Sequence, residues 1–472
     1  MKNAGKRLST LAFFAIVLCA ALFAGGQSEQ GASSAAPAAS TAGPVSFEYW
    51  NTDTQSDRVS TNQLLLSTFQ AQNPNVTVKL VPLEENDIPA QIQTAAAAGN
   101  LPALVYAAAE DGVTFGSQGL TDAQSATSII QSVGLSNFYP GTLAVNKAST
   151  GNGYYAVPFT GWIEGIWYRS DWFDKAGLKP PSTWEDMLKA SQYFYKPDQN
   201  QYGILVGTKP EVYAEQVFTP IAASNGAALF DVNGKLVFNS PAMKEAVQFY
   251  VNLAKYNPPG PQNWRARDYY LQGHMAGFFY STFIMDDLSI QKAAADSLTG
   301  KNFTNLTGTE FDPNLVNHTG FVPLITHKQP AGYGVIVDMI PFKQKDPAVT
   351  EAAAKLVKFL FTKDAYITFL HEAPGGNNPV IKGIAGDPEF LNDPSGVFAH
   401  YGKDKMETII SGMDAIADFS IVGGKVIPAG AAIYSKVVIP QMLYKITQEG
   451  MPIDAAMSWA EGQMKDIMSR MK

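Results

Sequence analysis

The chain has 472 residues, 46% of them hydrophobic and 16% charged, with 40 Gly and 29 Pro. At roughly 150 residues per domain this is enough for two or three globular domains, and the composition excludes a disordered or fibrous chain. Against 34 Lys and Arg stand 42 Asp and Glu, a formal charge of −8. No Lys/Arg block interrupts that balance, which argues against nucleic acid as a partner. A single Cys excludes a disulfide framework and any Cys-rich zinc or iron–sulfur site, and five scattered His leave little for a His-ligated metal. No cofactor is expected.

In chain order, Lys2, Lys6 and Arg7 form a basic start, followed by an apolar run, Leu8 to Ala24 (LSTLAFFAIVLCAALFA), and small residues at Ala24, Gly25 and Gly26. This is the plan of a secretory signal peptide over 1–26. As a membrane anchor the run sits at the short limit of about 17–25 residues. Leu18 precedes Cys19, where a lipoprotein signal needs a small residue, so lipid anchoring is disfavoured against a soluble exported protein. Gln27 to Pro44 is Ala/Ser/Gly/Pro-rich and reads as a flexible tether.

Ordered sequence begins at Val45, where VSFEYW has strand character. The spacing predicts a helix over about Thr61 to Gln72, with Leu64, Leu65, Thr68 and Phe69 on one face. A strand (VTVKLVPL), an Ala-rich helix from Ile88 to Ala98 and a buried strand, ALVYAAAED, ending in two carboxylates complete a β-α-β-α-β alternation. That order argues for an α/β layer with a largely parallel sheet. Further on, Ser182 and Glu185 form a capping box, and Asn233-Gly234 suits a type I′ hairpin. Ser240-Pro241 and Asp346-Pro347 each open a helix. Two helical patterns, around Tyr434 to Glu449 and Ala455 to Met471, end the chain.

Several segments resemble the extracellular solute-binding proteins of ABC importers, in the carbohydrate-binding, maltose-binding-protein-like group. VSFEYWN is similar to that family's first strand, and FQAQNPNVTVKL to its "F-x-x-x-N-P-x-I-x-V" stretch. Ala98-Gly99-Asn100-Leu101-Pro102 resembles "A-S-G-N-L-P-D", with Ala103 in place of the aspartate. The most specific match is IWYRSDWFDKAGLKPPSTWEDMLKA, although Arg169-Ser170 stands where Asn-Lys is usual. LQGHMAGFFY has His274 at the family's lysine position, and EGMPIDAAMSWAEGQMKDIM resembles the last helix.

The resemblance implies an α/β, two-lobed periplasmic-binding-protein fold of type II, with several crossovers between lobes. Lobe one would comprise 45–155 and 320–375, and lobe two 156–319 and 376–472. It further implies a monomeric, extracytoplasmic protein that closes on a small solute and delivers it to a membrane permease.

A sugar presents apolar C–H faces and a rim of hydroxyls, so a binder needs flat aromatics together with carboxylates, amides and guanidinium groups. Such groups are expected at the C-terminal ends of strands and at crossovers. Trp50, Asn51 and Asp53 follow the first strand, although Trp50 also suits a core. Glu110 and Asp111 end the third strand or cap the next helix. Trp162 and Glu164 lie beside the first crossover, and Trp264, Arg265 and Arg267 follow a Pro-rich loop. Tyr280 and Ser281 end a strand, Tyr333 lies between two glycines, and Asn377 sits in a turn at the last crossover. Arg265 and Arg267 would suit an anionic ligand such as a uronate, and the same fold also accommodates a peptide or polyamine. The alternative class is a secreted glycoside hydrolase using two carboxylates. No G-x-S-x-G elbow or Walker loop is present, and His371-Glu372 lacks the second His of a zinc-protease helix.

Overall fold

The computed structural model describes residues 43–149, 151–422 and 425–471. The export signal and most of the tether expected from the sequence lie outside the described residues.

The chain opens with β1 (Val45–Asn51), α1 (Ser56–Gln72), β2 (Val76–Pro82), α2 (Ile88–Ala98), β3 (Leu104–Ala108) and α3 (Ala109–Ser117). β1 pairs in parallel with both β2 and β3, as the alternation of elements predicts. Val45, Phe47 and Tyr49 are buried on one face of β1 and meet Leu65, Leu66 and Phe69 of α1 in the main core. The helix begins earlier than expected, because residues 56–63 are polar apart from Val59 and carry no apolar period to announce it. Its inward face also differs: Leu64 is 61% exposed and Leu66 is buried.

β3 passes into α3 without a loop, so Glu110 and Asp111 lie in the first turn of a helix instead of the last residues of a strand. A carboxylate suits this place, where unpaired backbone N–H groups give the helix start a partial positive charge.

The strand that organises the rest is β4 (Val157–Arg169), thirteen residues and almost continuously buried. Beyond it come β5 (Tyr202–Leu205), β6 (Met275–Ser281), β7 (Thr319–Val322), a small hairpin of β8 (Ile325–Thr326) and β9 (Pro330–Ala331), and β10 (Tyr333–Pro341). β11 (Asn378–Pro379) and a second small hairpin, β12 (Ile421–Val422) with β13 (Lys425–Val426), complete the strands. The main sheet runs β2-β1-β3-β10-β4-β6-β5, with β7 and β11 also paired to β4. The first part of β4 pairs with β10, and its second part with β6 and β7. One strand thus joins both groups of strands.

Local chemistry departs from the sequence reading at two further points. Thr183, one residue later than expected, caps the helix Trp184–Phe194: its Oγ1 accepts from the Asp186 amide at 3.1 Å and donates to Asp186 Oδ2 at 2.8 Å. At the Asn233-Gly234 turn only Gly234 has positive φ, at 77°. A type I′ pair is therefore not formed. The Gly234 amide donates to Asp231 O and the Asp231 amide to Lys235 O, each at 2.9 Å, so a bulge closes the turn. The helices Pro241–Ala254 and Pro347–Leu360 begin with the Ser240 and Asp346 caps that the sequence predicts. No helix among the described residues is long and apolar enough to cross a membrane.

Gly165 on β4 has no room for a side chain: a Cβ there would lie 2.4 Å from Val322 O and 2.5 Å from Phe321 Cζ. Gly165→Ala is expected to force β7 off β4 and to cost about 1–3 kcal/mol. The check is a lower urea midpoint at unchanged slope.

Candidate functional site

A cavity of ≈ 500 Å³ opens where the two groups of strands meet. One wall is built from Glu85, the N-terminal turn of α2 and the β3–α3 junction, which contributes Glu110 and Asp111. The floor is the centre of the sheet, Trp162 on β4 and Tyr333 on β10. The opposite wall comes from the helix Val212–Ser224, through Glu215 and Thr219, and from Asp418, Phe419 and Tyr434. A second cavity of ≈ 410 Å³ shares Glu110, Val335, Asp418 and Ala431 with the first, so the two form one cleft.

The floor is aromatic. Val335 pairs with Trp162 across the β10–β4 ladder, and Tyr333 pairs with Glu164. The Trp162 and Tyr333 rings lie 5.9 Å apart at 57°. Phe283, 43% exposed and outside the cavity lining, lies 6.4 Å from Trp162. The Tyr333 and Tyr434 hydroxyls approach to 3.5 Å. A stepped aromatic surface of this kind suits apolar ring faces.

The walls are acidic. Enclosure by the cleft, reinforced by the charge of Asp418, raises Glu110 to about 7, even though its side chain remains accessible from the opening. Asp111 also rises to about 7, through desolvation and then the charge of Glu85. Glu215 is 2% exposed, and burial together with Asp418 raises it to about 8. Asp418 is itself raised by burial, although it accepts bonds from the Ser420 amide and hydroxyl. None of the five cleft acids takes part in an ion pair among the described residues. Glu215 Oε2 is buried and has no hydrogen-bond partner.

Of the residues expected from sequence, the structure brings Glu110, Asp111, Trp162 and Tyr333 together here. Glu164 is 2% exposed, with Oε1 unpartnered, and its strand partners are Tyr333 and Ser281. Trp50 packs in a cluster with Ile88, Ile92 and Val105, and its indole N–H donates to Glu48 at 2.9 Å. Asn51 donates to Tyr49 and Asn62, while Asp53 pairs with Arg58 at 2.8 Å. Trp264 is 42% exposed and is flanked by Arg265 and Arg267 at 5.0 and 5.3 Å. Those cations are occupied, Arg265 by Asp296 and Asp268, and Arg267 by Asp287 and the Tyr280 hydroxyl. Asn377 is buried with Nδ2 unpartnered. Its neighbour Asn378 fastens the crossover by donating to Gly161 O, Thr282 Oγ1 and Gly375 O.

Glu85, Glu215, Asp418 and Tyr434 escape a sequence reading. Only Glu215 leaves a trace there, as a lone acid within the otherwise apolar stretch VYAEQVFTPIAA.

The family described as bacterial extracellular solute-binding protein matches residues 51–367, and the chain belongs to it. YcjN of Escherichia coli (strain K12), named for an ABC transporter periplasmic-binding protein, is 26% identical over 427 residues, covering 90% of this chain and 93% of its own. The mannitol-binding protein of Pseudomonas aeruginosa is 29% identical over 204 residues, 42% of this chain and 46% of its own. Among solved structures, the sugar-binding protein MalE of Xanthomonas citri superposes with a TM-score of 0.69 at 16% identity, covering 90% of this chain and 98% of that one. The cyclic alpha-maltosyl-1,6-maltose binding protein of Arthrobacter globiformis gives 0.68 at 17% identity, covering 91% and 100%. The fold is therefore the two-lobed α/β solute-binding fold that the sequence resembles.

The acids' shifts fix a pH dependence. A carboxyl whose folded pKa is raised favours the folded state below its unfolded value, and that contribution is lost as pH rises through the folded pKa. For Glu215 the window runs from an ordinary glutamate's 4.5 to about 8. Glu215→Gln, which mimics the protonated acid, is expected to melt like the wild type below the window and increasingly above it as pH rises through it. Thermal melts of the two proteins across that range are the check.

Proposed function

We propose that the chain captures a sugar or sugar alcohol in this cleft and hands it to an ABC permease. The observation that carries this reading is the cleft itself, with aromatic rings on its floor and hydrogen-bonding acids on its two walls. Rings cover the C–H faces of a pyranose or extended polyol, and carboxylates accept from its hydroxyls. A volume of ≈ 500 Å³ falls within the 300–1,000 Å³ common for small-molecule sites. Relatives named for mannitol and for multiple sugars support the same class, as do fold neighbours solved with ribitol, tagatose and maltotetraose.

The walls come from different parts of the chain, so a ligand touching both stabilises the arrangement in which they are close. Capture needs no bond to break, and the chain acts as a binding protein instead of an enzyme. Residues 1–26 direct export, and the mature protein works as a monomer outside the cytoplasm.

The test is a thermal-shift screen of the mature protein against sugars, sugar alcohols, short peptides and uronates, with the sugars recovered afterwards. A sugar or polyol that raises the melting point and is recovered intact is the expected result. Cleavage of the sugar, or stabilisation by peptides alone, would overturn the reading. Trp162→Ala is expected to weaken binding of the stabilising sugar by about tenfold, roughly 1.4 kcal/mol, by calorimetric titration.

A further inference from the structure

We infer that the ligand of this cleft carries a protonated amine on its sugar framework, held by Glu110, Glu215 and Asp418. The inference rests on the sugar reading above and narrows it to amino sugars.

The described residues that line the two joined cavities include Glu85, Glu110, Asp111, Glu215 and Asp418, and neither Lys nor Arg. Elsewhere in the fold Arg58 pairs with Asp53, Arg265 with Asp268 and Arg267 with Asp287, while the buried Asp338 and Glu164, which do not line the cleft, have no cation either. In the cleft none of the described side chains is a cation. Glu215 makes the point most sharply. It is 98% removed from solvent, lines the cavity, and leaves Oε2 with no donor. An acid so placed is costly unless something that enters the cleft completes it.

A neutral sugar only partly does so. Its hydroxyls can donate to these carboxyls but bring no positive charge, so Glu215, raised to about 8, stays largely protonated at pH 7, whereas an ammonium would let it ionise. One ammonium offers three N–H donors and removes one negative charge from the balance. The Trp162, Tyr333 and Tyr434 rings add electron-rich faces that also favour a cation. An anionic sugar gains none of this, so uronates are disfavoured, against the reading that Arg265 and Arg267 invited. Both of those guanidinium groups are already engaged with acids.

The experiment compares matched ligands by calorimetric titration of the full mature chain at pH 7. The sets are glucosamine, N-acetylglucosamine, glucose and glucuronate; the galactose equivalents; chitosan di- and trisaccharides against their N-acetylated forms; and spermidine. In at least one set the free amine is expected to bind at least tenfold more tightly than its N-acetyl and hydroxyl counterparts. Glu215→Gln and Asp418→Asn should each reduce that preference at least tenfold, while Asp57→Asn, on the exposed start of α1, should leave it intact. Equal or tighter binding of a neutral or anionic sugar would overturn the amine and leave the sugar reading standing. Binding of spermidine without any sugar would overturn both. Absence of binding by every amino sugar would overturn the inference, and so would a preference that survives both cleft substitutions.

Discussion

The structure depends on one shared strand. Val157–Arg169 hydrogen-bonds to β10 and β11 along its first part and to β6 and β7 along its second. Side chains alternate along a strand, so the register of β4 fixes the two faces that Trp162 and Ile163 occupy. Trp162 faces the cavity while Ile163 is fully buried. A slip of one residue would exchange them and remove the floor of the site. Gly161 and Gly165 hold that register sterically, since a Cβ at either would strike a neighbouring backbone oxygen, that of Val335 or Val322. The buried Asn378 amide adds three donated bonds where the chain crosses again.

The electrostatics of the cleft follow from that frame. Strand and helix meet without a loop at Ala108 and Ala109, which presents Glu110 and Asp111 at the cleft edge. The helix Val212–Ser224 carries Glu215 in from the opposite side, and Asp418 approaches from a separate late segment of the chain. Desolvation, reinforced at Glu110 and Glu215 by the charge of Asp418, leaves these acids more readily protonated than they would be in water. Such a site trades stability of the empty protein for affinity, because the groups that burden the unliganded fold are the ones a donor-rich ligand satisfies. The ion pairs around Trp264 are of the opposite kind. There each guanidinium already has its carboxylate, and a ligand would first have to displace it.

The amino-acid sequence by itself determined the class of fold, most of the element order and the family. These rest on local signals: alternation in β1, the Ser240-Pro241 and Asp346-Pro347 caps, and the long diagnostic run from Ile166 to Ala190. It also marked Glu110 and Asp111, beside the predicted end of the third strand, and Trp162 and Tyr333, beside crossovers that the family resemblance implies. Only the tertiary structure decided which residues share the cleft. Glu215 and Asp418 lie about two hundred residues apart in the chain and meet in one cavity through long-range packing. For Trp50 and the two Arg, composition and spacing do not separate a packed or paired side chain from a waiting one, since that depends on partners such as Glu48, Asp287 and Asp296. Local sequence carries the propensity of each segment, while the charge balance of a site is a property of the folded neighbourhood.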